Sequence, residues 1–260
     1  MSCAPMIAEA ATSLDAVLGG RLKLRQPLAG HRVGHDAILL AAATAARAGE
    51  HVVELGAGVG AAGLALAQRV RGLRVTLIEI DPALAALAAE NARRNGLADR
   101  VTALACDAED IAALARAGLA AGSVDRVMMN PPFRDATRAN LSPDRARRLA
   151  HAGDPGLLGR WIASAAALLK PGGVLTLIYR ADGLADVFGA LAGSFGAIAV
   201  LPVLPRAGRP VIRELLRAVK GGEGARAEHP PLALNDEQNQ PTPAAEAVLR
   251  GGQTLSLAAS

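Results

Sequence analysis

VVELGAGVGAAGLALA, residues 52–67, is the stretch that decides the fold. An apolar run ends near a glutamate, three glycines alternate with small residues, and a run of Ala and Leu follows. The pattern reads as strand, tight loop, helix. Gly56, Gly58 and Gly60 let the backbone turn sharply and approach a ligand closely. The helix behind them points free N–H groups back toward the loop. Gly56-x-Gly58-x-x-Ala61 also satisfies the dinucleotide fingerprint, so the glycines alone fit either a nicotinamide dinucleotide or S-adenosylmethionine. Glu54 tips the balance. A carboxylate just before the loop repels a pyrophosphate and suits the cationic amino group of a methionine tail.

Outward from this loop, strands alternate with helices. Strands are expected at 51–55, 74–80, 101–106, 124–129, 174–179 and 197–204. Helices are expected at 36–47, 61–70, 82–95, 108–117, 155–169 and 183–191. This alternation predicts an α/β fold, a parallel sheet wrapped on both faces. Residues 19–27 alternate apolar and basic side chains and read as a short strand. Residues 1–16 read as a loose or helical arm, and the polar, Pro-containing stretch 221–239 as loop. Thr242-Pro243 opens a short helix that Gly251-Gly252 closes. The organisation expected is an N-terminal segment on the substrate side (1–48), a core (49–220) and a C-terminal loop with a short helix (221–260).

Two further acids sit at successive strand ends. Glu79 closes VTLIEID and can accept both hydroxyls of a ribose, the role of the acid about 20 residues past such a glycine loop. Asp107 follows the third strand and can accept the amino proton of an adenine; helix capping is its competing role. Asp81, before Pro82, reads as a helix cap. Ligands in such sheets lie across the carboxyl ends of the strands.

MMNPPFRD, residues 128–135, ends another strand abruptly, because proline cannot donate a ladder hydrogen bond. An amide, two rigid residues and a ring are left at the strand tip. An exocyclic amine is a poor nucleophile, its lone pair delocalised into the ring. The Asn130 side-chain oxygen and the Pro131 carbonyl can each accept one of its N–H bonds and aim the lone pair. Phe133 can stack on the base, worth about 1–3 kcal/mol, once the base has left its own stack.

Taken together, Glu54-Leu55-Gly56-Ala57-Gly58-Val59-Gly60, Glu79, Asp107 and Asn130-Pro131-Pro132-Phe133 resemble the class I S-adenosylmethionine-dependent methyltransferases. The Asn-Pro-Pro-aromatic form resembles those acting on planar nitrogens: adenine N6, guanine N2 or a glutamine amide. The resemblance spans roughly residues 19–220. It implies a Rossmann-like sheet of seven strands, mostly parallel with the last antiparallel, and so makes 211–219 a strand despite its helical spacing of apolar residues. LGGRLKLRQPLAGHRVGHDAILLAAA (18–43) and the tail NQPTPAAEAVLRGG are similar to bacterial tRNA adenine-N6 methyltransferases acting on a valine tRNA. Many adenine enzymes carry Tyr at the position of Phe133 and many guanine-N2 enzymes carry Phe, so guanine in rRNA and glutamine in a release factor stay open beside adenine.

Charge alone fits a solvated, Arg-rich surface better than a polyanionic partner, though a mildly basic chain suits both. The net charge is +4 and the pI about 9.7, and basic residues crowd two segments. Arg21, Lys23, Arg25 and Arg32 lie in one and Arg134, Arg138, Arg145, Arg147 and Arg148 in the other; both are expected at the pocket mouth, holding RNA phosphates. Aromatics are only 2%, so the core must be Ala, Leu and Val. Cys3 and Cys106 fit no metal spacing and suggest a reducing, cytoplasmic setting. His31, His35 and His151 show none either, so no metal is expected. The N-terminus does not read as a signal peptide, and no apolar run approaches the roughly 20 residues that span a bilayer.

Overall fold

The computed structural model describes residues 11–29, 32–132 and 156–259. Its spine is a mixed sheet in the order β10-β8-β9-β7-β6-β3-β4-β5, with β11 also paired to β8. The strands are β3 (His51–Leu55), β4 (Arg74–Glu79), β5 (Val101–Ala105), β6 (Val124–Met129), β7 (Leu169–Arg180), β8 (Phe195–Arg206), β9 (Arg213–Lys220), β10 (Ala227–Glu228) and β11 (Leu232–Asn235). All pairings are parallel except those of β9, which runs antiparallel to both β7 and β8.

Helices cover both faces. On one lie α1 (His35–Ala43), α2 (Ala61–Arg69) and α3 (Pro82–Arg94), whose Leu39, Leu40, Leu64, Leu66 and Ala88 are buried with Val52 and Val75 of the sheet. On the other lie α4 (Ile111–Arg116), α5 (Leu157–Leu168) and α6 (Leu184–Leu191), with Leu114, Ile162, Leu168 and Val187 against Val53 and Val127. α7 (Pro243–Leu249) and the residues after it close over α1, where Leu255 N–H donates to Ala42 O (2.9 Å). Among the described residues no helix is long and apolar enough to cross a membrane.

β9 is the strand that periodicity alone would have made a helix. Glu214, Leu215 and Leu216 are consecutively buried because β9 lies between β7 and β8 with a hydrophobic layer on each face. A strand buried on both sides loses its alternation. Asp81 caps α3 as its position suggests, accepting from Ala83 N–H (2.9 Å).

Three expectations need correction. Residues 12–16, read as part of a loose or helical arm, belong to strand β1 (Thr12–Val17), paired antiparallel with β2 (Leu22–Pro27). The stretch read as loop supplies β10 and β11, which extend the sheet beyond the seven strands expected. The helix expected from 108 begins at Ile111, because the Asp110 carboxylate caps it by accepting from Ala113 N–H (2.8 Å).

The β1–β2 hairpin is held by an asparagine pair on α3. Asn91 Oδ1 accepts from Arg25 N–H (2.7 Å) and its Nδ2 donates to Arg25 O (3.0 Å). One turn on, Asn95 does the same to Lys23, accepting at 3.0 Å and donating at 2.9 Å. Four helix residues rise about 6 Å and two strand residues about 6.7 Å, so the two ladders match. The open edge of β2 is thus satisfied by side chains rather than by a third strand.

Candidate cofactor cleft and strand-tip site

The register places the tips of five strands level. Leu55 of β3 pairs with Ile78 of β4 and Met129 of β6. Ile78 pairs with Leu104 of β5, and Met129 with Leu177 of β7. Just past this line come Gly56, Glu79, Asp107 and Asn130. The chain runs β3, β4, β5 to one side and then crosses back to β6 on the other side of β3. The strand order reverses between β3 and β6, where doubly wound sheets open a crevice at their carboxyl ends. The glycine loop and Asn130 stand on the two sides of that point.

Within the loop, Gly56 (φ +69°) and Gly58 (φ +56°) both adopt the left-handed conformation that favours glycine. Their surroundings differ. A Cβ on Gly56 would overlap the indole of Trp161. A Cβ on Gly58 would meet nothing within 4 Å, so the loop is open on that side. Gly60 is the N-cap residue of α2.

The three acids take different positions. Glu79 is buried, and its carboxylate accepts from Gly58 N–H (2.8 Å) and Asp81 N–H (2.9 Å). Each oxygen keeps a lone pair for a further donor. Burial pushes its carboxyl above the usual range. Glu54 is buried beneath the loop, where Oε2 accepts from Gly63 N–H in the first turn of α2 (2.7 Å). Burial, with Glu79 beside it, lifts its carboxyl to about 8. This carboxylate underlies the loop and is hydrogen-bonded to α2. Asp107 is exposed at the end of β5, with Oδ1 accepting from Glu109 N–H (2.9 Å) and the α4 cap left to Asp110. Next to Glu79, Ile80 is 52% exposed and offers an apolar face suited to a flat ring.

Across the switch point, Asn130 Oδ1 is buried and has no hydrogen-bond partner among the described residues. Leaving a buried acceptor unpaired costs about 1–3 kcal/mol. Pro131 behind it is buried and Pro132 exposed. Phe133 and Arg134 lie outside the described residues, as do Arg138, Arg145, Arg147, Arg148, His31 and His151.

The N-terminal basic residues do not all reach this edge. Lys23 sits beside Asn95, at the far end of α3. That helix has 13 residues, which puts Lys23 about 20 Å from the tip of β4. Arg21 Nη1 donates to Gly251 O (2.6 Å). Arg25 lies 3.5 Å from Glu90. Arg32 is bound to Asp15 (2.7 Å) and Ser13 Oγ (3.1 Å), in the segment leading to α1. The start of α1 is itself at the strand tips: Asp36 pairs with Arg213 (2.8 Å), opposite Arg180 at the end of β7. Lys23 and Arg25 thus lie along α3, and Arg21 lies beside Gly251. Among the described residues no group of His, Cys, Asp and Glu is placed to hold a metal ion.

Trp161 and Ile80 were not singled out from the sequence. Trp161 is on α5, one residue after Arg160, whose Nε donates to Glu109 Oε2 (2.5 Å). The one signal available was that it is the chain's sole tryptophan.

Fold and register define a doubly wound α/β protein whose glycine loop and strand-end acids meet at the switch point of its sheet. The family model described as methyltransferase small domain matches residues 31–202, and the chain belongs to that family. It is similar to the tRNA1(Val) (adenine(37)-N6)-methyltransferase of Porphyromonas gingivalis, 35% identical over 160 residues, 60% of this chain and 61% of that one. It is also similar to the release factor glutamine methyltransferase of Moorella thermoacetica, 36% identical over 137 residues, 50% of this chain and 46% of the relative. These matches span about three fifths and just under half of the relatives' lengths. Among solved structures, a predicted O-methyltransferase of Agrobacterium tumefaciens, Atu636, superposes with a TM-score of 0.72 at 29% identity, over 85% of this chain and 98% of that one.

Proposed function

We propose that this protein transfers a methyl group from S-adenosylmethionine to an exocyclic amine of an RNA base, with adenine N6 in a tRNA as the target. The observation that carries the proposal is the buried Asn130 Oδ1, without a partner among the described residues, at the switch point one strand from the glycine loop.

The cleft suits the cofactor in extent and in donor set. From Asn130 across β3 and β4 to Asp107 is three strand steps, about 14 Å. Glu79 has lone pairs left for ribose hydroxyls, Asp107 is exposed at the end that would take an adenine amine, and Ile80 gives that ring an apolar face. When bound, the cofactor supplies an electrophilic methyl on a sulfonium. Glu54 and Glu79 supply negative charge near that cation, and a cation arriving beside them favours their ionised forms.

Asn130 Oδ1 accepts one N–H of the target amine and the Pro131 carbonyl the other. The lone pair then turns out of the base plane toward the methyl, and the two acceptors stabilise the positive charge that grows on nitrogen. The prolines hold this geometry in advance, so little ordering cost falls on the reaction. Similarity to the Porphyromonas adenine-N6 enzyme supports adenine. The Moorella relative, which covers less of the chain, makes a glutamine amide the alternative to test.

Incubating the purified protein with S-adenosylmethionine and either unmodified tRNA, unmodified rRNA or a release factor separates these outcomes. Nucleoside mass spectrometry is expected to find N6-methyladenosine in the tRNA. Guanine-N2 methylation of rRNA, or methylglutamine alone, would contradict the assignment of the base.

A further inference from the structure

We propose that Trp161 is a positioning residue that seats the glycine loop and, with Arg160, sets the width of the cofactor cleft. This rests on reading the cleft as an S-adenosylmethionine site and adds the residue that shapes its methionine end. The indole packs where a Cβ of Gly56 would be, so the bare backbone of the first loop glycine is the seat of the ring. Two residues on, the Cβ side of Gly58 is open. The loop is thus pressed at Gly56 and free at Gly58.

Arg160 reaches the other end of the cleft. Its partner Glu109 donates its backbone N–H to Asp107 Oδ1 (2.9 Å), so the ion pair holds the turn that carries Asp107. Two consecutive residues of one helix therefore grip the loops after β3 and β5, two strand steps or about 10 Å apart. α5 is itself fixed, with Leu158, Ile162, Ala165 and Leu168 buried in the core beneath it. A rigid helix touching both loops acts as a strut: it holds the glycine loop and the turn that carries Asp107 at one distance from each other.

Because Trp161 is the chain's only tryptophan, its emission, excited selectively over that of Tyr179, reports on the surroundings of this one ring. Titration of the wild-type protein with S-adenosylhomocysteine is expected to change that emission, with the midpoint found by calorimetry. Trp161→Ala should weaken S-adenosylhomocysteine about tenfold, while Trp161→Phe, which keeps a ring on Gly56, should stay within about threefold. Glu109→Gln should weaken it about threefold and leave the emission change in place. Calorimetric binding with a silent Trp161, or wild-type affinity in a folded Trp161→Ala, overturns the proposal and leaves the cofactor reading standing. No calorimetric binding to the wild type overturns both. If Trp161→Ala does not fold, the wild-type emission and the Phe variant decide.

Discussion

Glu79 Oε2 accepts a 2.8 Å hydrogen bond from Gly58 N–H, which ties the tip of β4 to the glycine loop on β3. The proposed ribose acceptor thus also shapes the loop that would hold the methionine end. Glu79→Ala removes both roles and should weaken S-adenosylhomocysteine by about 1–3 kcal/mol. Glu79→Gln keeps one acceptor oxygen and should lose less. Calorimetry on the two variants checks the order; equal affinity in wild type and alanine variant would show the acid to be misassigned.

Stability of the ligand-free protein should fall as pH rises through neutrality. The Glu54 carboxyl titrates at about 8 when folded, against an ordinary value of 4.5. Between those values the folded protein keeps a proton that the unfolded chain has released, so stability declines from about 4.5 to about 8 and then levels. Burial displaces Glu79 and Glu214 in the same direction. Glu54→Gln keeps an oxygen for Gly63 N–H and cannot ionise. It should be more stable than wild type at pH 8.5 and similar to it near pH 4.5. Urea melts at both pH values decide; an unchanged pH slope would exonerate Glu54.

Asn91 is fully buried, and its Nδ2 donates to Val59 O (3.1 Å) as well as serving Arg25. Asn91→Ala would strand the Arg25 N–H and two carbonyls, at a cost of about 2–4 kcal/mol. Asn95→Ala, at a more exposed site, should cost about 1 kcal/mol. Denaturant midpoints are the measurement. A reversed ranking would mean that Asn95 holds the hairpin more strongly than Asn91.

RNA binding should weaken with salt, and the flank along α3 should contribute. Lys23 and Arg93 are exposed there, and Arg21 pairs with a carbonyl. Replacing Arg21, Lys23 and Arg93 with alanine should reduce the slope of log affinity against log salt by about 1–3 without changing cofactor affinity. An unchanged slope would place the RNA elsewhere.

The sheet was readable because its strands carry strong local signals: the glycine loop bounds β3, and Pro131-Pro132 ends β6 at the residue expected. Elements that depend on tertiary partners were harder. β1 has no recognisable strand pattern beyond its pairing with β2, and β10 and β11 are short strands added to the edge at β8. β9 reads as a helix until its two flanking strands are in view. Among site residues, the acids and Asn130 sit at strand ends where the pattern put them. The real position of Lys23 depends on Asn95, 72 residues away, and the seat of Trp161 on Gly56 depends on how α5 docks. Neither contact leaves a mark in local periodicity.

The most direct test of the strand-tip amide is single-turnover methylation of unmodified tRNA by wild type, Asn130→Ala and Asn130→Asp, with cofactor affinity measured in parallel. Asn130→Ala should keep the fold and bind S-adenosylhomocysteine as wild type does, and lose turnover by on the order of 100- to 1,000-fold. Asn130→Asp, which keeps an acceptor at the same reach, should retain more activity than alanine. Methylation by Asn130→Ala at the wild-type rate would make the buried oxygen a structural feature of the strand end and contradict the placing of chemistry there.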